Sequence, residues 1–241
     1  MVRSASAIAA TLVIGALTGC TTTQQKAARL RLNSARIRTT QLPTRIGESD
    51  AQVRVSGLSL VRQPGRTALV VTVQNDGPNA LSDLPVIVGY RVGHGRPTYL
   101  NAAAGLGYFQ SHLPVIAGHG TLHWVLTNSL AVPLGGRPFA RVGSTAAVST
   151  NPPADLPAIR IEQVSRAPHG RLRLRVVNAS GVPQLQLPVY AVAEHGDRVV
   201  AAGQTTIEQL GSGAHATITL TLIGTGGSRQ IAVVAPPTIF R

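Results

Sequence analysis

In the stretch Arg171-Leu172-Arg173-Leu174-Arg175-Val176 apolar side chains alternate strictly with guanidinium groups. Successive side chains of a strand point to opposite faces, so a period of two sets Leu172, Leu174 and Val176 into a core and Arg171, Arg173 and Arg175 into water. The reverse register is excluded, because three buried guanidinium groups could not be paired from the few acids of this chain. The same alternation recurs. Val53 and Val55 alternate with Gln52 and Arg54; Leu69, Val71 and Val73 with Val70 and Thr72; Leu122, Trp124 and Leu126 with His123 and Val125; Ile218, Leu220 and Leu222 with Thr217, Thr219 and Thr221. Turn chemistry separates these runs, at Gln63-Pro64-Gly65, Asn75-Asp76-Gly77-Pro78, Gly93-His94-Gly95 and Gly118-His119-Gly120. From Ala51 onward no run keeps a 3.6-residue period for three turns, so the fold class is all-β, each sheet with one buried face and one wet one.

The pattern occurs twice. Three prolines between Ser149 and Ala158 remove backbone donors and mark residues 149–156 as an extended linker between residues 51–148 and 157–241. Across it Val53-Arg54-Val55 matches Ile159-Arg160-Ile161, Val73-Gln74-Asn75 matches Val176-Val177-Asn178, and Leu84-Pro85-Val86 matches Leu187-Pro188-Val189. Further on, Gly118-His119-Gly120 is aligned with Gly211-Ser212-Gly213, and Phe139-Ala140-Arg141-Val142 with Ile231-Ala232-Val233-Val234. A repeat of roughly ninety residues is a duplicated domain rather than a solenoid unit. Each copy is expected to have its own alternating core and to fold when the chain is cut at Pro152 and Pro153.

The strand order suits an immunoglobulin-like or fibronectin-III-like β-sandwich, without the Cys-Trp-Cys core of antibody domains. In detail, Val73-Gln74-Asn75-Asp76-Gly77-Pro78 followed by Leu84-Pro85-Val86 resembles the CARDB-type domains of exported bacterial proteins. The second copy departs from it, with Asn178-Ala179-Ser180-Gly181 in place of the Asn-x-Gly turn. The resemblance implies two tandem sandwiches serving as spacers or binding modules, with no catalytic residues.

Ahead of the repeat stands a leader: Arg3, then an apolar run from Ala7 to Leu17 broken by Thr11 and Gly15, then small residues. It is too short to span a bilayer. Leu17-Thr18-Gly19-Cys20 contains the single cysteine of the chain and resembles the lipobox of bacterial lipoproteins. That resemblance implies a signal peptide over 1–19, cleavage between Gly19 and Cys20, and a diacylglycerol on the Cys20 thiol. The protein is then exported and lipid-anchored to the cell membrane, and Thr21 permits outer-membrane sorting in an organism that has an outer membrane. With Cys20 lipidated no thiol remains for a disulfide, a thiolate metal site or a cysteine nucleophile. Residues 20–50 form a basic tether, with Lys26, Arg29, Arg31, Arg36, Arg38 and Arg45 and no acid before Glu48. It reads equally as a solvated linker or as a segment drawn to an anionic surface.

The net charge of +13 comes almost wholly from arginine, Lys26 being the only lysine. Outside the cytoplasm such a protein meets anionic head groups and wall polymers first, and envelope proteins or anionic wall polymers are the expected partners. Nucleic acid is not expected, because aromatics are only 3% of the chain.

Candidate sites are few. Leu84 to Gly118 spans 34 residues but Leu187 to Gly211 only 24, so the first copy carries an insert, in the region that contains Tyr99, Tyr108 and Phe109. These rings either face a ligand or pack over a sheet edge. His119 and His123 would sit about 13 Å apart on a strand and lack a nearby carboxylate or thiolate, so no metal and no cofactor is expected. The acids are scattered, and neither Gly-x-Ser-x-Gly nor HExxH occurs. The expected function is a non-enzymatic envelope spacer or interaction module; the alternative is a carbohydrate or wall-polymer binder using the insert.

Overall fold

The computed structural model describes residues 48–101, 112–129, 132–144, 156–224 and 230–239. The chain is all-β, with fourteen strands and no helix among the described residues. In the first half, β1 (Val53–Gln63) and β2 (Arg66–Asn75) form a hairpin that β6 (Thr121–Asn128) joins, giving the sheet β1-β2-β6. Facing it, β3 (Leu84–Val92) pairs along one edge with β4 (Thr98–Tyr99) and β5 (His112–Leu113), and along the other with β7 (Gly136–Val142). The second half repeats the plan. The hairpin of β8 (Ile159–Ala167) and β9 (Arg171–Asn178) takes up β12 (His215–Thr221), and the facing sheet runs β13 (Ile223–Gly224), β11 (Arg198–Leu210), β10 (Gln184–His195), β14 (Gln230–Val234).

The duplication extends to irregular features. A β-bulge follows Val55 in β1 and Ile161 in β8, the equivalent residue of each copy. Asn75 and Asn178 are fully buried and perform the same task. Each side-chain oxygen accepts the N–H two residues on, from Gly77 at 3.0 Å and Ser180 at 3.1 Å. Each side-chain nitrogen donates to the carbonyl four residues on, Asn79 at 2.7 Å and Val182 at 2.8 Å. It also donates to the turn before the next hairpin partner, at Ala117 or at Gly211, both at 3.0 Å. A buried amide that leaves no turn carbonyl dry explains the asparagine at both strand ends. The residue before each Leu-Pro-Val strand is left-handed in both copies, Asp83 at φ 59° and Gln186 at φ 51°.

Toward the end of each copy the correspondence differs from the sequence alignment by one residue. The Asn75 N–H donates to the Gly120 carbonyl and the Asn178 N–H to the Ala214 carbonyl, both at 2.9 Å, so Gly120 answers to Ala214 and not to Gly213. The turn needs one left-handed residue, which is His119 (φ 53°) in one copy and Gly213 (φ 68°) in the other; the shared Gly-x-Gly spelling is coincidental. In the last strands Ile87 pairs with Arg141 and Tyr190 with Val234, so Arg141 answers to Val234 and not to Val233. A one-residue slip exchanges the two faces of a strand, and the corrected register puts Val142 and Ala235, both buried, at equivalent positions.

The alternation expected of the second half is present: Leu172, Leu174 and Val176 are buried while Arg171 and Arg173 are exposed. In the first half β2 is apolar on both faces. Val70, expected on the wet face, is 1% exposed, and its neighbour across the sheet, Val125, is 0% exposed. The cause is the second half. Tyr190, Val192, Ala202 and Ile223 belong to the same apolar cluster as the first-half core, and the Gln204 amide donates to the Thr127 hydroxyl at 3.4 Å. Gly224 (φ 121°) sits where a Cβ would meet Val61 Cγ1 at 2.7 Å, so only glycine lets β13 approach β1 this closely. Burying one such Val or Ile contributes about 1.5–3 kcal/mol, and the described residues belong to one compact unit; residues 149–155 of the expected linker lie outside the described residues.

Candidate functional site

Along one edge of β3 the described residues of the first half have two short strands where the second half has one long strand. In the second half β11 pairs with β10 along its length, with Leu187 opposite Ile207 and Val192 opposite Ala202. In the first half the equivalent edge of β3 is covered at one end by β4, with Gly89 opposite Tyr99, and at the other by β5, with Leu84 opposite Leu113. Residues 102–111 fall between them and outside the described residues, and with them Tyr108 and Phe109. The gap in the ladder is closed by a side chain. Asn101 is buried; its oxygen accepts the Val88 N–H at 2.9 Å and its nitrogen donates to the Val86 carbonyl at 2.7 Å. It therefore pairs the groups that a continuous strand would have paired through its backbone.

Tyr99 does not face outward. It is 7% exposed, and its ring meets Phe139 edge-on at 5.6 Å beside Ile87. Two aromatic rings in this geometry gain from their opposed quadrupoles, so Tyr99 packs on the outer face of β3. Cys20 and Gly19 lie outside the described residues.

Where the halves meet, a cleft of about 750 Å³ opens between β5 and the start of β10. Asp83 and Gln186, the two equivalent left-handed residues, both line it. His112 Nδ1 stands 4.0 Å from Asp83 Oδ1, but both side chains are well exposed, so solvent screens the pair. Tyr190 backs the cleft, and burial pushes its phenol far above the ordinary value of 10.0, a shift that the Trp124 side chain partly opposes. A neutral phenol there is a hydrogen-bonding group, not a base. Among the described residues no group of three or more His, Cys, Asp or Glu side chains lies together. His123 is half-buried beside buried Trp124, and its Nδ1 is 3.1 Å from the Thr72 hydroxyl.

The inter-half joint was missed by period-two reasoning, yet it had a signal. Ala68-Leu69-Val70-Val71 is a continuous apolar run, which marks a strand buried on both faces, whereas its counterpart Arg171-Leu172-Arg173-Leu174 alternates. No protein-family model matches the chain, and comparison with curated proteins finds no match.

Proposed function

We propose that the protein is an exported lipoprotein, anchored by a lipid on Cys20, whose two immunoglobulin-like, CARDB-type sandwiches act as a spacer and interaction module without catalysis. The observation that carries this reading is the lone cysteine after Leu17-Thr18-Gly19 at the end of an apolar leader. The apolar joint between the halves supports it, because a spacer that holds a partner at a fixed distance from a membrane needs its units to move together. Cys20→Ser is the test. The variant should take up no fatty-acid label and accumulate as an uncleaved precursor; labelling equal to that of the parent would overturn the reading.

A second reading, a carbohydrate or wall-polymer binder using the insert, is favoured by the extra length between Leu84 and Gly118 and by the two rings, Tyr108 and Phe109, that it holds. Tyr108→Ala with Phe109→Ala should then abolish cosedimentation with isolated wall polymer. Undiminished cosedimentation removes the insert from the binding surface.

A further inference from the structure

The outer face of the β8-β9-β12 sheet carries a row of cations. Arg171, Arg173 and Arg175 occupy alternate positions of the central strand, about 7 Å apart, opposite the buried Leu172, Leu174 and Val176. Register sets Thr221, Thr219 and Thr217 of β12 beside them on one side. On the other side stand Ala167, Ser165 and Gln163 of β8. Glu162 engages Arg175 at 3.0 Å, and Arg171 Nε donates to the Pro168 carbonyl at 3.1 Å; neither Arg171 nor Arg173 makes an ion pair among the described residues. Arg160 and exposed His215, both paired with Val177, continue the row past Arg175.

We propose that this face binds a linear polyanion laid along β9, with anionic groups at Arg171 and Arg173, the two arginines of the row that make no ion pair among the described residues. Like charges in a row repel one another, and an anion at each relieves that repulsion. A guanidinium fork matches phosphate or carboxylate oxygens in two parallel hydrogen bonds, which suits arginine rather than lysine here. The flanking hydroxyls lie one strand spacing away, about 4.8 Å, within reach of oxygens between the charged groups. The charges form a line and not a disc, so a chain matches them better than a membrane surface does. The row has no aromatic platform for bases, which disfavours single-stranded nucleic acid. This inference deepens the proposed interaction role and rests on it for the setting of the partner. The two fail separately, because Cys20→Ser leaves the row untouched.

The test uses the full chain in detergent, with linear inorganic polyphosphate and polygalacturonate as probes and orthophosphate and phosphatidylglycerol vesicles as comparisons. The paired substitution Arg171→Gln, Arg173→Gln should weaken binding of at least one polymer on the order of tenfold or more and flatten its salt dependence. The charge-matched pair Arg137→Gln, Arg141→Gln on exposed positions of β7 should change it little. Which polymer responds tells phosphate from carboxylate. Thermal melts of both variants close to that of the parent show that folding is not the cause. Equal loss from the two pairs, no loss from the first, or an arginine-dependent affinity for vesicles or orthophosphate that matches the polymers would overturn the proposal and leave the row a solubilising cap.

Discussion

The outer face of β1-β2-β6 and the outer face of β8-β9-β12 are equivalent surfaces of the two halves with opposite surroundings. By register, Ala68, Val70 and Thr72 hold the positions of Arg171, Arg173 and Arg175, and Val125 that of Thr219. The first surface is covered by β10, β11 and β13 of the second half; the second faces water. Inward positions differ far less, since Leu69, Val71 and Val73 answer to Leu172, Leu174 and Val176, all buried. Because strand neighbours point to opposite sides, a duplicated sandwich can keep its core and change its partner by altering only the alternate residues.

Four measurements test this difference between the two faces. Val70→Arg gives the first face the chemistry of the second, and a guanidinium group trapped in the joint should cost about 3–5 kcal/mol. Denaturant melts followed by the fluorescence of Trp124, the sole tryptophan, would report it, and a loss under about 1 kcal/mol would mean that the joint does not close over Val70. Leu174→Ala should remove about 2–5 kcal/mol by opening a cavity beneath the arginine row. Asn75→Ala and Asn178→Ala each strand buried turn carbonyls and should cost about 1–3 kcal/mol in the same assay. Clearly unequal losses would show that the two asparagines are not equivalent in energy as they are in geometry. Arg173→Ala, last in size, should stay within about 0.5 kcal/mol; a larger loss would place that side chain in a contact and not in water.

What the sequence made legible follows from what periodicity can report. Alternation located the inward residues of both copies, because the facing sheets of each half select them through contacts that strand geometry fixes. The same rule misassigned Val70, whose burial depends on a surface about 120 residues further along the chain, and no local period encodes that. Glycine spelling misled the alignment near Gly118, since the turn requires a backbone angle that His119 supplies as well as Gly213 does. At the insert, residue counting found the extra segment between β3 and β6, but hydrophobicity could not tell that Tyr99 turns inward against Phe139. Asn101 gave no signal at all: its role depends on where β4 ends on β3, which no local pattern encodes.

That asparagine bears on where the chain can be lengthened. Asn101 satisfies the Val88 N–H and the Val86 carbonyl with its side chain, so these two backbone groups of β3 need no further strand to pair them. An insertion after Asn101 leaves those two bonds in place, whereas an insertion in the matching part of β11 must first break its pairing with β10. The first half thus accommodates a change of chain length at this point at less cost to its sheet than the second.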